Sequence, residues 1–101
     1  MSVRLRIPQT VELVRCLKGT INAGSNKGKR VILRLWFGYA SHGAKTGFSR
    51  VPHHWLEIIL GEDRVGWSYS GRRLNKAVKD LAHNIRILNE IGVTLAESRG
   101  T

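Results

Sequence analysis

Residues 70–91 read SGRRLNKAVKDLAHNIRILNEI, and the rest of the chain is organised around this stretch. Its apolar side chains recur every three or four residues, which is the pattern of an amphipathic helix that packs one face on a core. This apolar face comprises Leu74, Ala77, Val78, Leu81, Ala82, Ile85, Leu88 and Ile91. Ser70 is a candidate N-cap and Gly92 follows the last apolar residue, so we expect one helix over residues 70–91.

The opposite side of this predicted helix is basic. Arg72 and Arg73 stand in its expected first turn, where the helix dipole favours acidic residues and disfavours arginine. A phosphate group there would interact with the free N–H groups, the dipole and both guanidinium groups at once. We therefore predict that Arg72, Arg73, Lys76 and Lys79 form a phosphate clamp. A solvated charged face accounts for the two lysines about as well.

The composition indicates a small folded protein with an anionic partner. The chain has 101 residues, 42% of them hydrophobic, which suits one domain with a single core. The 17 Lys and Arg against 7 Asp and Glu give a net charge of +10, which is typical of proteins that bind polyanions. No stretch is apolar enough to span a bilayer, and the N-terminus lacks a signal-peptide pattern. With Cys16 as the sole cysteine, we expect a cytoplasmic or nuclear protein that is neither secreted nor membrane-bound.

Hydrophobic periodicity along the remaining chain predicts a single α+β domain over residues 1–101. Apolar spacing after Pro8 indicates a short first helix over residues 9–18. β-Branched and aromatic residues indicate strands over residues 30–40, 55–60 and 64–69, the last two as a hairpin. The expected order is helix, three-stranded antiparallel sheet and C-terminal basic helix (α-β-β-β-α). Residues 3–7 are an optional extra strand, and residues 96–101 are expected to form a frayed tail.

Two further groups of polar residues lie in or beside predicted loops. The second contact region, at the long loop over residues 41–51, comprises Lys45, Arg50, His53 and His54. The third and weaker region, at the glycine-bearing turn over residues 22–29, comprises Lys27, Lys29 and Arg30. These cations are predicted to contact phosphates. A lysine-rich turn also serves solubility, so the third region has two readings.

The three tryptophans are more than one small core requires. Core packing is the default for Trp36, Trp55 and Trp67, because each is a large apolar side chain. Trp67 lies between Gly66 and Ser68, just before the arginines, and is the one predicted to be exposed. An exposed tryptophan there could stack on a base or cap the end of a duplex.

Two motifs resemble those of the double-stranded RNA-binding domain. Residues 51–55, VPHHW, stand where the family carries Gly-Pro-x-His, without the glycine, and residues 72–79, RRLNKAVK, stand where it carries Lys-Lys-x-Ala-Lys. The second motif matches in charge and apolar spacing rather than in sequence. The resemblance spans residues 10–88 and implies an α-β-β-β-α fold, a histidine that reaches the RNA minor groove, and a phosphate clamp on the last helix. Such domains read shape, 2′-hydroxyls and phosphates rather than base sequence.

The histidines raise an enzymatic alternative. A metal-independent ribonuclease needs a general base and acid beside a cation, and His53 or His54 with Arg50 or Lys45 would supply them. The element order and the histidines are also similar to those of small RNA-cleaving interferase toxins. No cluster with metal-ligand spacing is visible, and Glu62-Asp63 is best read as a turn, so we predict no metal and no cofactor.

These features together predict a nucleic-acid-binding protein that favours RNA over DNA and duplex RNA above all. It would cover the duplex through phosphate and shape contacts, as a viral protein that sequesters RNA from processing enzymes does. The ribonuclease is one alternative. A ribosome- or nucleoprotein-associated subunit, or an inhibitor of a host nucleic-acid enzyme, is the other. A strand edge or the tryptophans could form a self-complementary surface, so a homodimer stays open.

Overall fold

The protein is described by a computed structural model over residues 11–42 and 49–99. One 3-10 turn, Gly71–Arg73, precedes the helix. The elements in chain order are β1 Glu12–Thr20, β2 Arg30–His42, β3 Ser49–Leu60, β4 Asp63–Ser70, α1 Lys76–Glu90 and β5 Thr94–Ser98.

The strands form one antiparallel sheet in the order β4-β3-β2-β1-β5. The pairing of β2 with β3 is the longest, with partners from Val31↔Leu60 to His42↔Ser49. Because β4 and β5 are the two edges, α1 crosses one face of the sheet as it connects them. The other face carries no helix in the described part of the chain.

The hydrophobic core lies between α1 and the sheet. Ala77, Leu81 and Leu88 recur at four and seven residues and are the buried side chains of α1, whereas Val78, Ala82 and Ile91 of the predicted apolar face are exposed. The buried residues of this core are Leu17, Val31, Leu33, Leu35, Leu56, Ile58, Tyr69, Ala77, Leu81, Leu88 and Val93. Five of them come from β2 and β3, so the central strands supply most of the surface on which the helix rests.

The helix-free face is organised by a buried carboxylate. Glu57 is 2% exposed. Its Oε1 accepts hydrogen bonds from Arg34 Nη1 at 3.3 Å and Trp36 Nε1 at 3.4 Å, and its Oε2 lies 2.5 Å from Arg64 Nη2. Gly66, the cross-strand partner of Glu57, has no side chain that would obstruct Arg64. One side chain of β3 thereby ties together β2, β3 and β4.

The predicted α-β-β-β-α fold is wrong, because residues 11–42 and 49–99 form five antiparallel strands and one α-helix, with a strand where the first helix was expected. Residues 12–20 form β1 instead of the predicted first helix. A β-bulge between Leu13 and Arg15 shifts the pairing register with β2. This bulge breaks the two-residue alternation of apolar and polar side chains that would have indicated a strand. The order that carried the resemblance to the double-stranded RNA-binding domain is therefore not the order of this chain.

The C-terminal segment also differs from the prediction. Residues 94–98 form β5, which pairs with β1, although residues 96–101 were expected to be a tail. The two strands approach closely at Gly19, where an added Cβ would clash with the carbonyl oxygen of Thr94. The strand is short and mostly exposed, so no run of apolar residues in the sequence indicates it. The optional strand over residues 3–7 lies outside the described residues.

The C-terminal helix and the β3–β4 hairpin are confirmed, with changed ends. The hairpin turns at Gly61 and Glu62, between the predicted positions of its strands. The helix proper is α1, and a 3-10 turn occupies its predicted start. Strands β2 and β3 both run into the predicted loop over residues 41–51, so less of that segment is loop than expected.

Replacement of Glu57 tests the role of the buried carboxylate. We expect Glu57→Gln to lower the free energy of unfolding by about 3 kcal/mol, because two guanidinium groups lose their counter-charge in a largely desolvated site. Urea unfolding measures this loss. The matched control is Glu62→Gln, an exposed carboxylate in the β3–β4 turn, with an expected effect within about 0.5 kcal/mol. Equal effects of the two substitutions would contradict the role given to Glu57.

Candidate nucleic-acid interface

The outer side of α1 carries a line of cations. Lys79 and Arg86 are exposed opposite the buried Ala77, Leu81 and Leu88, and Lys76 is exposed on the flank of the helix that carries Asp80. Arg72 and Arg73 are exposed in the 3-10 turn that leads into the helix. We call Arg72, Arg73, Lys76, Lys79 and Arg86 the cation row. Its helical part, from Lys76 to Arg86, is about 15 Å long at 1.5 Å per residue.

The start of α1 differs from the sequence-based expectation. Ser70 precedes the 3-10 turn and makes no side-chain capping bond, so it is not the N-cap of the helix. Asn75 occupies that position, also without a side-chain capping bond, and the first turn contains no acidic residue. Arg72 and Arg73 therefore stand ahead of the helix instead of inside its first turn. They therefore do not oppose the helix dipole from within the first turn, as the sequence suggested that they would.

His54 fixes the 3-10 turn to the sheet. Its Nδ1 lies 2.9 Å from the carbonyl oxygen of Leu74, and because a carbonyl oxygen can only accept, the Nδ1–H group is the donor. The ring also packs on Phe37, with 5.1 Å between ring centroids. The backbone that carries Arg72 and Arg73 is thus held against β3.

The two adjacent histidines do not act together. Successive residues of a strand point to opposite faces of a sheet, and His53 and His54 both lie in β3 rather than in a loop. His53 stacks on Trp55 on the helix-free face, with ring centroids 5.4 Å apart, and its Nδ1 lies 2.9 Å from the Val51 carbonyl oxygen. The second contact region predicted from the sequence is therefore divided between two faces.

The ends of β2 and β3 beyond β1 and β4 extend the helix side of the sheet. The pairs Tyr39↔Pro52 and Ser41↔Arg50 continue the face on which Phe37 and His54 lie. Arg50 is exposed, four residues or about 13 Å along β3 from His54. Lys45 lies outside the described residues.

Tyr39 is a surface aromatic residue that sequence reasoning missed. It is 53% exposed and packs edge-on against Phe37, with ring centroids 5.7 Å apart. The alternation of side chains along β2 places Tyr39 on the same face as Phe37. Tyr39 is exposed because it lies in the part of β2 that runs past the paired end of β1. Trp67 is 44% exposed, while Trp55 is 4% exposed. The prediction that Trp67 is the exposed tryptophan is confirmed.

The third predicted region lies at the opposite end of the sheet. Lys27, Lys29 and Arg30 are exposed in the β1–β2 turn and at the start of β2. At this end, two hydrogen bonds tie the β1–β2 connection to neighbouring segments. The Gly61 N–H donates to the Arg30 carbonyl oxygen at 2.8 Å, and Asn22 Nδ2 donates to the Gly92 carbonyl oxygen at 2.7 Å. These three cations are separated by the length of the sheet from the start of α1.

Tyr69 and Asp80 set the position of α1 over β4. The Tyr69 hydroxyl donates to Asp80 Oδ2 at 2.7 Å, and Lys76 Nζ lies 3.6 Å from the same oxygen. Burial of the phenol, followed by the hydrogen bond to Asp80 and its negative charge, raises the pKa of Tyr69 well above its ordinary value. The carboxylate of Asp80, next to the cation row, therefore already has two partners, the Tyr69 hydroxyl and Lys76 Nζ.

Neither a metal centre nor a known relative identifies the site. Within residues 11–42 and 49–99, no three His, Cys, Asp or Glu side chains are grouped so that they could hold a metal ion. The helix of this described part is too short and too polar to cross a membrane. Comparison with protein-family models, with curated proteins and with solved structures gives no match.

The Tyr69–Asp80 contact predicts a pH dependence of stability. A raised pKa in the folded state contributes stability that is fully present below pH 10 and is lost as the pH rises, because only the unfolded chain ionises there. We expect the difference in unfolding free energy between the wild type and Tyr69→Phe to shrink by about 1 kcal/mol from pH 10 to pH 11. Urea titrations at both pH values measure it, and a constant difference would contradict the assignment.

Proposed function

We propose that this protein binds nucleic acid, duplex RNA in preference to duplex DNA, and that the cation row contacts the phosphates. The observation that carries the proposal is the row itself, five exposed cations along the outer part of α1 and the turn before it. The net charge of +10 agrees with a polyanionic partner.

Repulsion between the cations of the row is only partly offset within one chain. Lys76 and Lys79 are three residues apart on the helix surface, and like charges at this spacing destabilise a helix by a few tenths of a kcal/mol. Within the described residues, Asp80 is shared with Tyr69, and Glu90 lies at the far end of the helix. Phosphate groups would turn this repulsion into charge-assisted hydrogen bonds. This favours a polyanion over a merely solvated surface.

The rigidity of the row favours a duplex. Side chains on one side of a helix stand at fixed intervals, as do the phosphates of a double helix, so little ordering is needed when the two meet. A single strand would have to be straightened to follow the row. The hydrogen bond from His54 to Leu74 holds the turn that carries Arg72 and Arg73 against β3.

Two neutral polar side chains beside the row support a preference for RNA. Asn75 is exposed, and its side chain makes no capping bond. Arg86 Nη2 lies 3.0 Å from His83 Nδ1 and donates to it, so the other ring nitrogen of the exposed His83 carries its proton outward. Both groups can exchange hydrogen bonds with 2′-hydroxyls, which duplex DNA lacks.

Arg50 and Tyr39 would extend the contact beyond the start of the row. They lie on the helix side of the sheet, in the part of β2 and β3 that runs past the neighbouring strands. Arg50 supplies a further cation, and the exposed ring of Tyr39 supplies a stacking surface for an end or a bulge. A protein bound in this way covers the duplex and would compete with processing enzymes for it.

Neutralisation of the row should weaken binding more than the same charge change elsewhere. We expect Arg72→Gln/Arg73→Gln/Lys79→Gln to lower affinity for a labelled duplex RNA at least tenfold at moderate salt, because three phosphate contacts are lost. Fluorescence anisotropy measures it, with duplex DNA and single-stranded RNA of matched sequence beside the duplex RNA. The wild type should bind duplex RNA most tightly.

The matched control is Lys27→Gln/Lys29→Gln/Arg30→Gln, which also removes three positive charges but at the opposite end of the sheet. It should weaken binding less. Equal losses in the two triple variants would show that net charge, not the row, determines affinity. Equal weak binding of all three nucleic acids would favour a protein partner. RNA cleavage that disappears in His54→Ala would favour a ribonuclease.

A further inference from the structure

Strand β4 is an edge that lacks the usual protection against strand pairing. It has eight residues, and its outer side has no strand partner among the described residues. Edge strands are commonly short or carry lysine, proline or a bulge, which prevents pairing with another chain. Its charged residues, Asp63 and Arg64, stand at its start, and the remaining residues 65–70, VGWSYS, contain no charge and no proline.

The other edge is protected in the expected way. Strand β5 has five residues and ends in AES. Glu97 in this strand accepts a hydrogen bond from Arg15 Nε at 2.6 Å, so a charged pair stands at the edge. The contrast singles out β4 as the edge that is suited to a partner strand.

An exposed aromatic side chain lies on the β4 edge strand. Trp67 of β4 is 44% exposed. A large apolar ring left in water on an unpaired edge strand is surface that a partner would cover.

We propose that two copies of this chain pair through β4 in antiparallel orientation about a twofold axis at Trp67, which joins the two sheets into one of ten strands. The partner is a second copy because the strand is complementary to itself in charge. Glu62 and Asp63 stand at one end of β4, and Arg72 and Arg73 follow the other end. Neither acidic side chain forms an ion pair in the described part of a single copy.

A twofold axis at Trp67 brings these opposite charges together twice. In that register the start of β4, which Glu62 precedes, lies beside the end of the other β4, which Arg72 of the partner subunit follows, and the same approach recurs on the other side of the axis. Trp67 then faces Trp67 of the partner subunit, as a cross-strand aromatic pair. The register is thus favoured by two approaches of opposite charge and one apolar contact.

The pairing does not require nucleic acid, so it stands or falls independently of the proposed function. It places both α1 helices on the same side of the joined sheet, and two cation rows would then face one side of the dimer. Arg72 takes part in both arrangements, since a guanidinium group has five N–H donors and one carboxylate occupies two at most.

Sedimentation equilibrium in the absence of nucleic acid tests the dimer. We expect twice the chain mass of 11.3 kDa for the wild type. Trp67→Glu should give the mass of a single chain, because it sets two carboxylates against each other at the axis. A wild-type mass of 11.3 kDa at every concentration measured would overturn the proposal.

A charge exchange tests the register and remains informative if Trp67→Glu fails to fold. Glu62→Arg and Arg72→Glu alone each set like charges against each other, and each should raise the dimer dissociation constant about tenfold or more. The double variant Glu62→Arg/Arg72→Glu should restore it to near the wild-type value. Failure of the double variant to recover would overturn pairing about Trp67. Both positions are exposed, so circular dichroism should show the fold intact in all three variants.

Discussion

The buried carboxylate of Glu57 is the interaction on which the central sheet depends. It lies on the face without a helix, beside the buried Ile32 and Trp55. By binding Arg34 of β2 and Arg64 of β4, it joins three strands through a single side chain. A desolvated carboxylate is costly unless it is paired, so this contact also specifies the register of the three strands. The opposite face is then free to carry the helix.

The placement of α1 follows from the sheet that the carboxylate organises. One helix must connect two opposite edges, β4 and β5, and its apolar side packs on Leu33, Leu35 and Leu56 along the way. Two side-chain contacts fix its start, His54 to Leu74 and Tyr69 to Asp80. Because α1 buries one side and is anchored at its start, its other side faces solvent. The exposed cations Lys79 and Arg86 lie on that side. The proposed interface is the outer surface of the element that closes the core.

The sequence predicts some elements because one physical signal dominates them. The apolar spacing from Ala77 to Leu88 has no strand interpretation, and the hairpin at Gly61 has a turn between two β-branched runs. Strand β1 escaped prediction because its bulge at Val14 places apolar residues at helix-like intervals. Strand β5 was not predicted because an edge strand needs few apolar residues. Its partner, β1, also lies far away in the sequence, near the other end of the described chain. Local patterns carry no information about such long-range pairs.

The candidate site was predictable in composition but not in arrangement. Clustering of Arg72, Arg73, Lys76 and Lys79 follows from their sequence spacing. The division of His53 and His54 between two faces depends on where β3 begins, and the loop-like polarity of residues 41–51 concealed that start. Tyr39 and Arg50 came together only through the β2–β3 register.

The salt dependence of duplex RNA binding tests the central claim most directly. The slope of log affinity against log salt counts the phosphates that the protein neutralises, at roughly 0.9 per contact on a duplex of the B form. For the variant with Arg72, Arg73 and Lys79 replaced by glutamine, the account predicts a slope shallower than that of the wild type by about two to three units. An unchanged slope in this variant would contradict the account, because the row would then make no phosphate contacts.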